Sequence, residues 1–191
     1  MKKIIVLLGI PGSGKGTQAK LIAENYKYTH ISTGNLFRAI LADENADPEI
    51  VKAVERIKEG KMVEDEVVYK LAFGEIEKKM KESDGVILDG AVRNLKQAEA
   101  YNKFFKDNNW QNDIMAIEIE LTDEIAIERL LKRHEGREDD NKEVILKRMM
   151  DQGNSKIRPI VDYYKKLGIL KAVDGSKDIE TVTKEIKEIL E

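Results

Sequence analysis

Short apolar runs of strand length alternate along the chain with longer segments in which apolar residues recur at helical spacing. The runs predict five strands, at Ile4–Leu8, Tyr28–Ser32, Gly85–Leu88, Ile114–Leu121 and Ile169–Val173, of which Tyr28–Ser32 has the weakest pattern. The helical spacing predicts helices around residues 15–25, 35–44, 48–59, 65–82, 94–107, 122–134, 141–167 and 178–190. This alternation predicts an α/β protein with a parallel sheet that helices cover on both faces, and with ligands at the carboxyl ends of the strands.

The segment between the second and third predicted strands departs from simple alternation. Three predicted helices follow one another there, roughly over residues 33–82, with a bend at Asp47–Pro48 and a turn at Gly60–Lys61. We expect part of this segment to stand away from the sheet as a small helical flap. No repeat of solenoid length and no low-complexity tract divides the 191 residues, which indicates one continuous domain.

The composition removes several classes of function. The absence of cysteine excludes disulfides, thiolate catalysis, cysteine-ligated zinc and iron–sulfur clusters, and it fits a reducing compartment such as the cytoplasm. The 33 basic and 36 acidic side chains leave a net charge of -3, so the surface as a whole does not indicate binding to nucleic acid or to an anionic membrane. The longest early apolar run, Ile4–Ile10, is too short to span a bilayer.

The first predicted strand leads into a glycine-rich loop, Gly9–Thr17. The loop matches the phosphate-loop pattern except that Gly16 stands where Ser or Thr is usual, with Thr17 directly after it. Glycines allow successive N–H groups to face phosphate oxygens, the following helix presents its positive end, and Lys15 neutralises phosphate charge. The third predicted strand runs into Asp89, a carboxylate placed as in sites that organise nucleotide-bound magnesium.

The chain has 25 lysines but only 8 arginines, so each arginine is a candidate for a specific role. Four arginines fall within 20 residues: Arg129, Arg133, Arg137 and Arg148. The first two are four residues apart and therefore share one face of a helix. A guanidinium fork binds phosphate oxygens at two points, which predicts a polyphosphate clamp. The alternative is a solvated helix face whose arginines pair with Glu128, Glu135 and Glu138.

These motifs jointly resemble the adenylate kinase family over the whole chain. The resemblance rests on Gly9–Lys20, on Ser32-Thr33-Gly34 with Arg38, on Asp89-Gly90 with Arg93 and Gln97, and on Arg137 with Asp139-Asp140. It implies a phosphate-loop NTPase fold with a five-stranded core, an AMP-binding insertion at residues 32–63 and a short ATP lid at residues 132–140. It also implies the reversible reaction of Mg-ATP with AMP to give two ADP, and a cytoplasmic monomer that serves adenine nucleotide homeostasis, without structural zinc.

The resemblance further implies a role for individual residues. It assigns ATP binding to Gly12, Ser13, Gly14, Lys15, Gly16, Thr17, Arg129, Arg133 and Gly175, with Arg129 stacking on the adenine. It assigns AMP binding to Thr33, Arg38, Ile57, Lys61, Val63, Gly90, Arg93, Gln97, Arg137 and Arg148. The transferred group is expected among Lys15, Arg93, Arg129, Arg133, Arg137 and Arg148, and Asp89 is expected to organise Mg²⁺ through water.

The chain departs from the family pattern at three points. Ala91-Val92 replaces the usual aromatic residue and proline before Arg93, so we expect a trans bond before Val92 and a rebuilt turn. Asn35 replaces an aspartate, which leaves Asp89 as the chief candidate for organising magnesium through water. Only three residues separate Arg133 from Arg137, and this short lid predicts a raised ratio of ATP hydrolysis to AMP phosphorylation.

Three other functions are compatible with parts of this pattern. The Ala91-Val92 change suits an ATP-binding regulatory or assembly protein with weak transfer, although all six matching arginine positions are filled. A UMP/CMP kinase is disfavoured by Thr33 and Gln97, which are the AMP-selective members of the family pattern. A kinase for a metabolite other than a nucleotide would have little use for Ser32-Thr33-Gly34.

Overall fold

The computed structural model describes residues 2–58, 65–132 and 142–191. The described residues contain five strands, β1 (Ile4–Leu8), β2 (Tyr28–Ser32), β3 (Gly85–Asp89), β4 (Ile114–Glu120) and β5 (Leu170–Asp174). They also contain nine helices, α1 (Lys15–Tyr26), α2 (Thr33–Ala42), α3 (Pro48–Lys58), α4 (Asp65–Glu82), α5 (Leu95–Asp107), α6 (Asp123–Leu131), α7 (Lys142–Gln152), α8 (Asn154–Lys166) and α9 (Ile179–Leu190). No helix in this part of the chain is long and apolar enough to cross a membrane.

The five strands form one parallel sheet in the order β2-β3-β1-β4-β5, so the predicted α/β fold is confirmed. Every residue of the central strand β1 is buried, because helices cover both faces of the sheet. Alternate β1 residues enter two different apolar clusters. Ile4, Val6 and Leu8 belong to the cluster with α4, α5 and α8, whereas Ile5 and Leu7 belong to the cluster with α1 and α9.

The carboxyl ends of the strands lie together at one edge of the sheet. Leu7, near the end of β1, is opposite Asp89 on β3 and Ile117 on β4, and Ser32 at the end of β2 is also opposite Asp89. The loop that follows β1 and the turn that follows β3 therefore leave the sheet side by side. The glycine-rich loop after β1 and the turn after β3 are therefore neighbours at this edge of the sheet.

The prediction of a single helix over 141–167 is wrong, because two helices, α7 and α8, meet at Gly153. Gly153 has an extended backbone, and a side chain there would clash with the Met149 carbonyl. The first residue of α8, Asn154, donates from its backbone N and its Nδ2 to Oδ1 of Asp123, at 3.1 and 2.8 Å. These bonds direct the chain away from the axis of α7 and attach α8 to the start of α6.

Three helices follow one another between β2 and β3, as the sequence predicts. Thr33 is the only buried residue of α2, so this helix lies largely outside the core. Asp47 starts α3, because its carboxylate accepts from the N–H of Glu49 at 2.8 Å and its carbonyl from the N–H of Val51 at 2.9 Å. The predicted turn at Gly60–Lys61 lies outside the described residues.

Candidate active site

The loop between β1 and α1 has the backbone that a phosphate cradle requires. Gly9, Gly12 and Gly14 have positive φ angles of 148°, 85° and 96°, and a Cβ on Gly12 would lie 2.8 Å from the carbonyl oxygen of Ala126. Gly14 is the N-cap of α1 and offers no side chain to the first-turn N–H groups, and that turn contains no acidic residue. The positive end of α1 is therefore left for an anionic ligand.

The side chain of Lys15 lies across this loop, which determines its hydrogen bonds and its pKa. Its Nζ donates to the carbonyl oxygens of Gly9 at 2.7 Å and Ile10 at 2.9 Å. Burial lowers the pKa of Lys15 to about 8; the negative charge of Asp89 opposes this shift, and the positive charges of Arg148 and Arg93 add to it. Burial therefore destabilises the charged form of Lys15, and a bound phosphate would stabilise it.

Asp89 ends β3 directly beside the loop. Its Oδ2 lies 3.5 Å from Nε2 of His30, and a Cβ added to Gly16 would be 3.6 Å from the same oxygen. Burial alone would raise the pKa of Asp89, but the neighbouring His30 and the charges of Lys15 and Arg93 outweigh it and hold the pKa below its ordinary value. The carboxylate is therefore ionised at neutral pH and faces the cradle.

The residues around Asp89 fit a magnesium ion that a nucleotide carries. No group of three or more His, Asp or Glu side chains in the described parts of the chain could hold a metal ion as a cage. A single ionised carboxylate next to a phosphate cradle is the donor set typical of Mg²⁺, which keeps several waters and binds one or two carboxylates and substrate phosphates.

The turn after β3 presents Arg93. Gly90 has a φ of 70°, and its carbonyl oxygen accepts from Nε of Arg93 at 3.2 Å, while Oε1 of Gln97 accepts from the N–H of Arg93 at 2.8 Å. The described residues contain no cis peptide bond, which confirms the expected trans bond before Val92. Ala91 and Val92 are buried, so the turn is anchored in the core without the usual aromatic residue and proline.

Arg38 approaches the same region from α2. Its Nη2 donates to Oδ1 of Asn35 at 2.5 Å, one turn earlier on the helix. Asn35, the residue that departs from the family pattern, therefore orients a guanidinium. Because the amide is neutral, the charge of Arg38 is not cancelled by this partner.

A cavity of about 720 Å³ opens at the carboxyl edge of the sheet. It brings together nine charged residues: Lys15, Lys20, Arg38, Arg93, Arg129, Arg148 and Lys156, with Glu24 and Asp89. Gly12, Gly14, Gly16, Thr17 and Gly90 also line it. Seven cations and two carboxylates line this cavity, and their excess of positive charge forms a site for a strongly anionic ligand.

A second cavity of about 340 Å³ lies on the other side of Arg129. The Arg129 guanidinium donates to the carbonyl oxygens of Gly175 at 2.8 Å and Ser176 at 3.2 Å. Ser13, Gly175 and Ile179 line this space, so the phosphate loop is continuous with it. The two cavities share Gly12, Gly14, Thr17 and Arg129 as lining residues, so they meet at the phosphate loop.

Two predicted site residues, Thr33 and Gln97, are not among the lining residues of the two cavities, and others lie outside the described residues. Thr33 is buried and its Oγ1 lies 3.5 Å from the carbonyl oxygen of Asp89, and Gln97 supports the Arg93 turn. Arg133, Arg137, Lys61, Val63 and nearly all of the predicted lid lie outside the described residues, as does the side chain of Ile57.

Two polar residues near the cavities are absent from the sequence-based set. His30, to which the sequence assigns no chemistry, contacts Asp89 from β2, and its alternation with Ser32 on that strand is the signal that could have indicated it. Gln18 is 3% exposed among apolar residues of α1, and no local pattern marks a glutamine there as buried.

Comparison with known proteins identifies the family. The family model for adenylate kinase matches residues 7–169. The chain is 38% identical over 191 residues to an adenylate kinase of Leuconostoc mesenteroides, covering all of this chain and 98% of that protein. It is 40% identical over 192 residues to an adenylate kinase of Prochlorococcus marinus, with both chains fully covered.

The chain belongs to the adenylate kinase family. It is a phosphotransferase of that family, and adenylate kinases use ATP with Mg²⁺ and convert ATP and AMP to two ADP. A full-length match at this identity extends over both cavities and over the loops that form them. The adenylate kinase assignment therefore agrees with a site that has a phosphate cradle on one side and two further arginines, Arg38 and Arg93, on the other.

Proposed function

We propose that the chain transfers the terminal phosphoryl group of Mg-ATP to AMP in the larger cavity, with the donor on the Gly9–Thr17 loop and the acceptor phosphate between Arg38 and Arg93. The observation that carries this division is that two sets of cations reach the cavity from different elements. Lys15 and the loop approach the cavity from β1 and α1, whereas Arg38 and Arg93 approach it from α2 and the turn after β3.

The donor side is supported by Lys15 and by the first-turn N–H groups of α1, which the N-cap Gly14 leaves without a side-chain partner. The N–H of Ser13 donates to the carbonyl oxygen of Ile10 at 3.1 Å and would leave it for a phosphate. Backbone N–H groups of Gly12, Ser13, Gly14, Gly16 and Thr17 would hold phosphate oxygens, and Lys15 would leave the two carbonyl oxygens it now contacts for the phosphates. The adenine would occupy the smaller cavity, against Arg129 and Gly175. Arg133 would join this side from the predicted lid.

Magnesium bound with ATP would supply positive charge that neutralises the phosphates. Asp89 would hold it through water, because the carboxylate is ionised, partly buried and adjacent to the loop at Gly16. The positive charge of Lys15 limits how much a single carboxylate attracts a second cation, so Asp89 orients the metal with the phosphates rather than binding it alone.

The acceptor side needs no general base. The phosphate oxygen of AMP is already an anionic nucleophile, so the rate depends on positioning and on neutralising the charge that spreads during transfer. Arg93 and Arg148 act electrostatically on Lys15, which supports their grouping around the transferred phosphoryl with Arg137. Thr33, Ile57, Lys61, Val63, Gly90 and Gln97 remain the candidates for holding the rest of AMP.

Water exclusion would depend on the flap predicted over residues 32–63 and on the short lid predicted over residues 132–140. The weak burial of α2 supports a flap that can move relative to the core. We propose that the active species is a monomer, since residues of one chain supply both cavities, and that it is cytoplasmic, since a chain without cysteine fits a reducing compartment.

Steady-state ADP formation from Mg-ATP and AMP tests the acceptor assignment directly. In Arg93→Ala we expect kcat/KM for AMP to fall by about 10²-fold or more, because a charge that stabilises the transition state is lost. Lys96→Ala, which removes an exposed cation from the following helix, is the matched control and should behave as the parent. Unchanged turnover of Arg93→Ala would overturn the proposed acceptor site.

A further inference from the structure

Gln18 joins two parts of the fold that are far apart in sequence. It lies on α1 just after the phosphate loop, is 3% exposed, and donates from Nε2 to the carbonyl oxygen of Ile179 at 3.1 Å. Its Oε1 accepts from Oγ1 of Thr183 at 2.9 Å. Both ends of a buried amide are thus bonded to the first turn of α9, which satisfies its desolvated polar atoms.

The segment from Gly175 to Ile179, between β5 and α9, is held at both of its ends. Arg129 binds the carbonyl oxygens of Gly175 and Ser176 at its start, and Gln18 binds that of Ile179 at its end. Asp178 is the N-cap of α9, and its carboxylate accepts a hydrogen bond from the N–H of Thr181 at 2.9 Å. The segment therefore has a fixed position relative to α1 and α6, the two helices that flank the smaller cavity.

Ile179 is the exposed apolar residue that lines the smaller cavity, whereas Val182, which also lines it, is buried. Its side chain is 57% exposed, although it begins a helix whose other large apolar residues pack into the core. It lines the cavity together with Arg129 and Gly175. An exposed isoleucine facing an arginine across such a space suits a flat base, which buries apolar surface on one side and contacts a guanidinium on the other.

From these contacts we infer that Gln18 is a positioning residue for the donor base: it sets the distance between the phosphate loop and Ile179, so that the base and the phosphates of ATP are held together. The inference rests on the proposed function, because it needs ATP in the two cavities. Gln18 also lines the smaller cavity, but it has no charge and no place among the phosphate-binding atoms, so its effect falls on the base and on Ile179 rather than on the phosphates.

Loss of the Gln18 side chain is expected to leave the fold intact. The Ile179 carbonyl oxygen keeps a second donor, Oγ1 of Thr183 at 2.7 Å, which is free to turn to it when Oε1 is gone. Gln18→Ala therefore breaks the connection between α1 and α9 without leaving that carbonyl without a donor. The backbone N–H of Gln18, bonded to the Gly14 carbonyl at 3.0 Å, is unaffected by the substitution.

Calorimetric titration with two ligands tests the inference, namely Mg-ATP and inorganic tripolyphosphate with Mg²⁺. In Gln18→Ala we expect the Kd for ATP to rise about five-fold, as for the loss of one net hydrogen bond, and the Kd for tripolyphosphate to stay within a factor of about two. In the kinetic assay, KM for ATP should rise while kcat and KM for AMP stay at the parent values. A purely structural role would not separate the two ligands.

Two further variants complete the design. Thr183→Val removes the other half of the connection from α9 and should give the same separation of ATP from tripolyphosphate. Ile186→Val trims a fully buried residue of α9 about two turns after Ile179, and should lower Tm while leaving both Kd values unchanged.

The outcomes separate the inference from the function on which it rests. Equal weakening of ATP and tripolyphosphate in Gln18→Ala, or no weakening of either, would overturn the inference, since Gln18 would then act on the loop or on neither ligand. If Gln18→Ala does not fold, Thr183→Val is judged by the same criteria. A parent protein that binds tripolyphosphate no more weakly than ATP would instead contradict the proposed placement of the base.

Discussion

The ammonium of Lys15 donates to the carbonyl oxygen of Gly9 at 2.7 Å, so the side chain folds back over its own loop. To bind a nucleotide phosphate, the ammonium would leave this carbonyl oxygen. The ligand-free cradle is therefore already folded around a cation. Since burial lowers the pKa of this cation to about 8, its charge is lost within the range of ordinary assay buffers. ATP phosphates would act in the opposite direction and raise the pKa, because they favour the charged form.

ATP binding should therefore take up a proton at alkaline pH. At pH 9 most free protein has lost the Lys15 proton, and ATP should restore it, so about one proton is taken up per ATP. At pH 7 Lys15 is charged in both states and the uptake should vanish. Titration calorimetry at pH 9 in two buffers of different ionisation enthalpy measures the number, and Lys15→Met serves as the control without uptake. Zero uptake by the parent at pH 9 would contradict the role of Lys15.

Asp89→Asn should raise the Mg²⁺ concentration needed for half-maximal ADP formation by about ten-fold or more, because it removes the negative charge that orients the metal. Part of the loss in kcat should return at high Mg²⁺. Asp84→Asn, at the exposed opposite end of β3, is the matched control and should leave the Mg²⁺ dependence unchanged. Equal Mg²⁺ dependence in Asp89→Asn and the parent would remove Asp89 from the metal site.

Gly12→Ala should lower the free energy of unfolding by more than Gly14→Ala. Both positions have a positive φ, which costs about 1–2 kcal/mol for alanine. A Cβ on Gly12 would in addition lie 2.8 Å from the Ala126 carbonyl oxygen, whereas a Cβ on Gly14 meets no atom within 4 Å. Urea denaturation without nucleotide measures both losses, and equal losses would mean that the packing of the loop on α6 is not as described.

Glu118 is a buried carboxylate on β4 that forms an ion pair with Arg158 on α8. Arg158→Ala should lower the free energy of unfolding by about 3 kcal/mol, since an unpaired charge remains inside the protein. Adding Glu118→Gln to this variant should recover part of that loss, because the stranded charge is removed as well. Lys165→Ala, an exposed change on the same helix, should stay within about 0.5 kcal/mol of the parent. Denaturant unfolding that gives the same stability for Arg158→Ala and Lys165→Ala would contradict the pair.

The sequence predicts the sheet well because each strand is an apolar run bounded by turn residues, and all five were found within one residue at each end. It failed at Gly153, since helical spacing continues from α7 into α8 and the break comes from Asn154 bonding to Asp123, a residue about 30 positions earlier. The phosphate loop was recognisable because its chemistry is local. Gln18 was not, because its partners on α9 are more than 160 residues away in the sequence.

Acceptor selectivity is the most direct test of the central claim that this site transfers phosphate from ATP to AMP. The measurement is ADP formation from Mg-ATP with AMP, UMP, CMP or no acceptor under otherwise identical conditions. The account predicts rapid turnover with AMP, far slower turnover with UMP or CMP, and a smaller hydrolytic rate without acceptor. ATP binding with no acceleration by AMP, or faster turnover with UMP or CMP than with AMP, would contradict it.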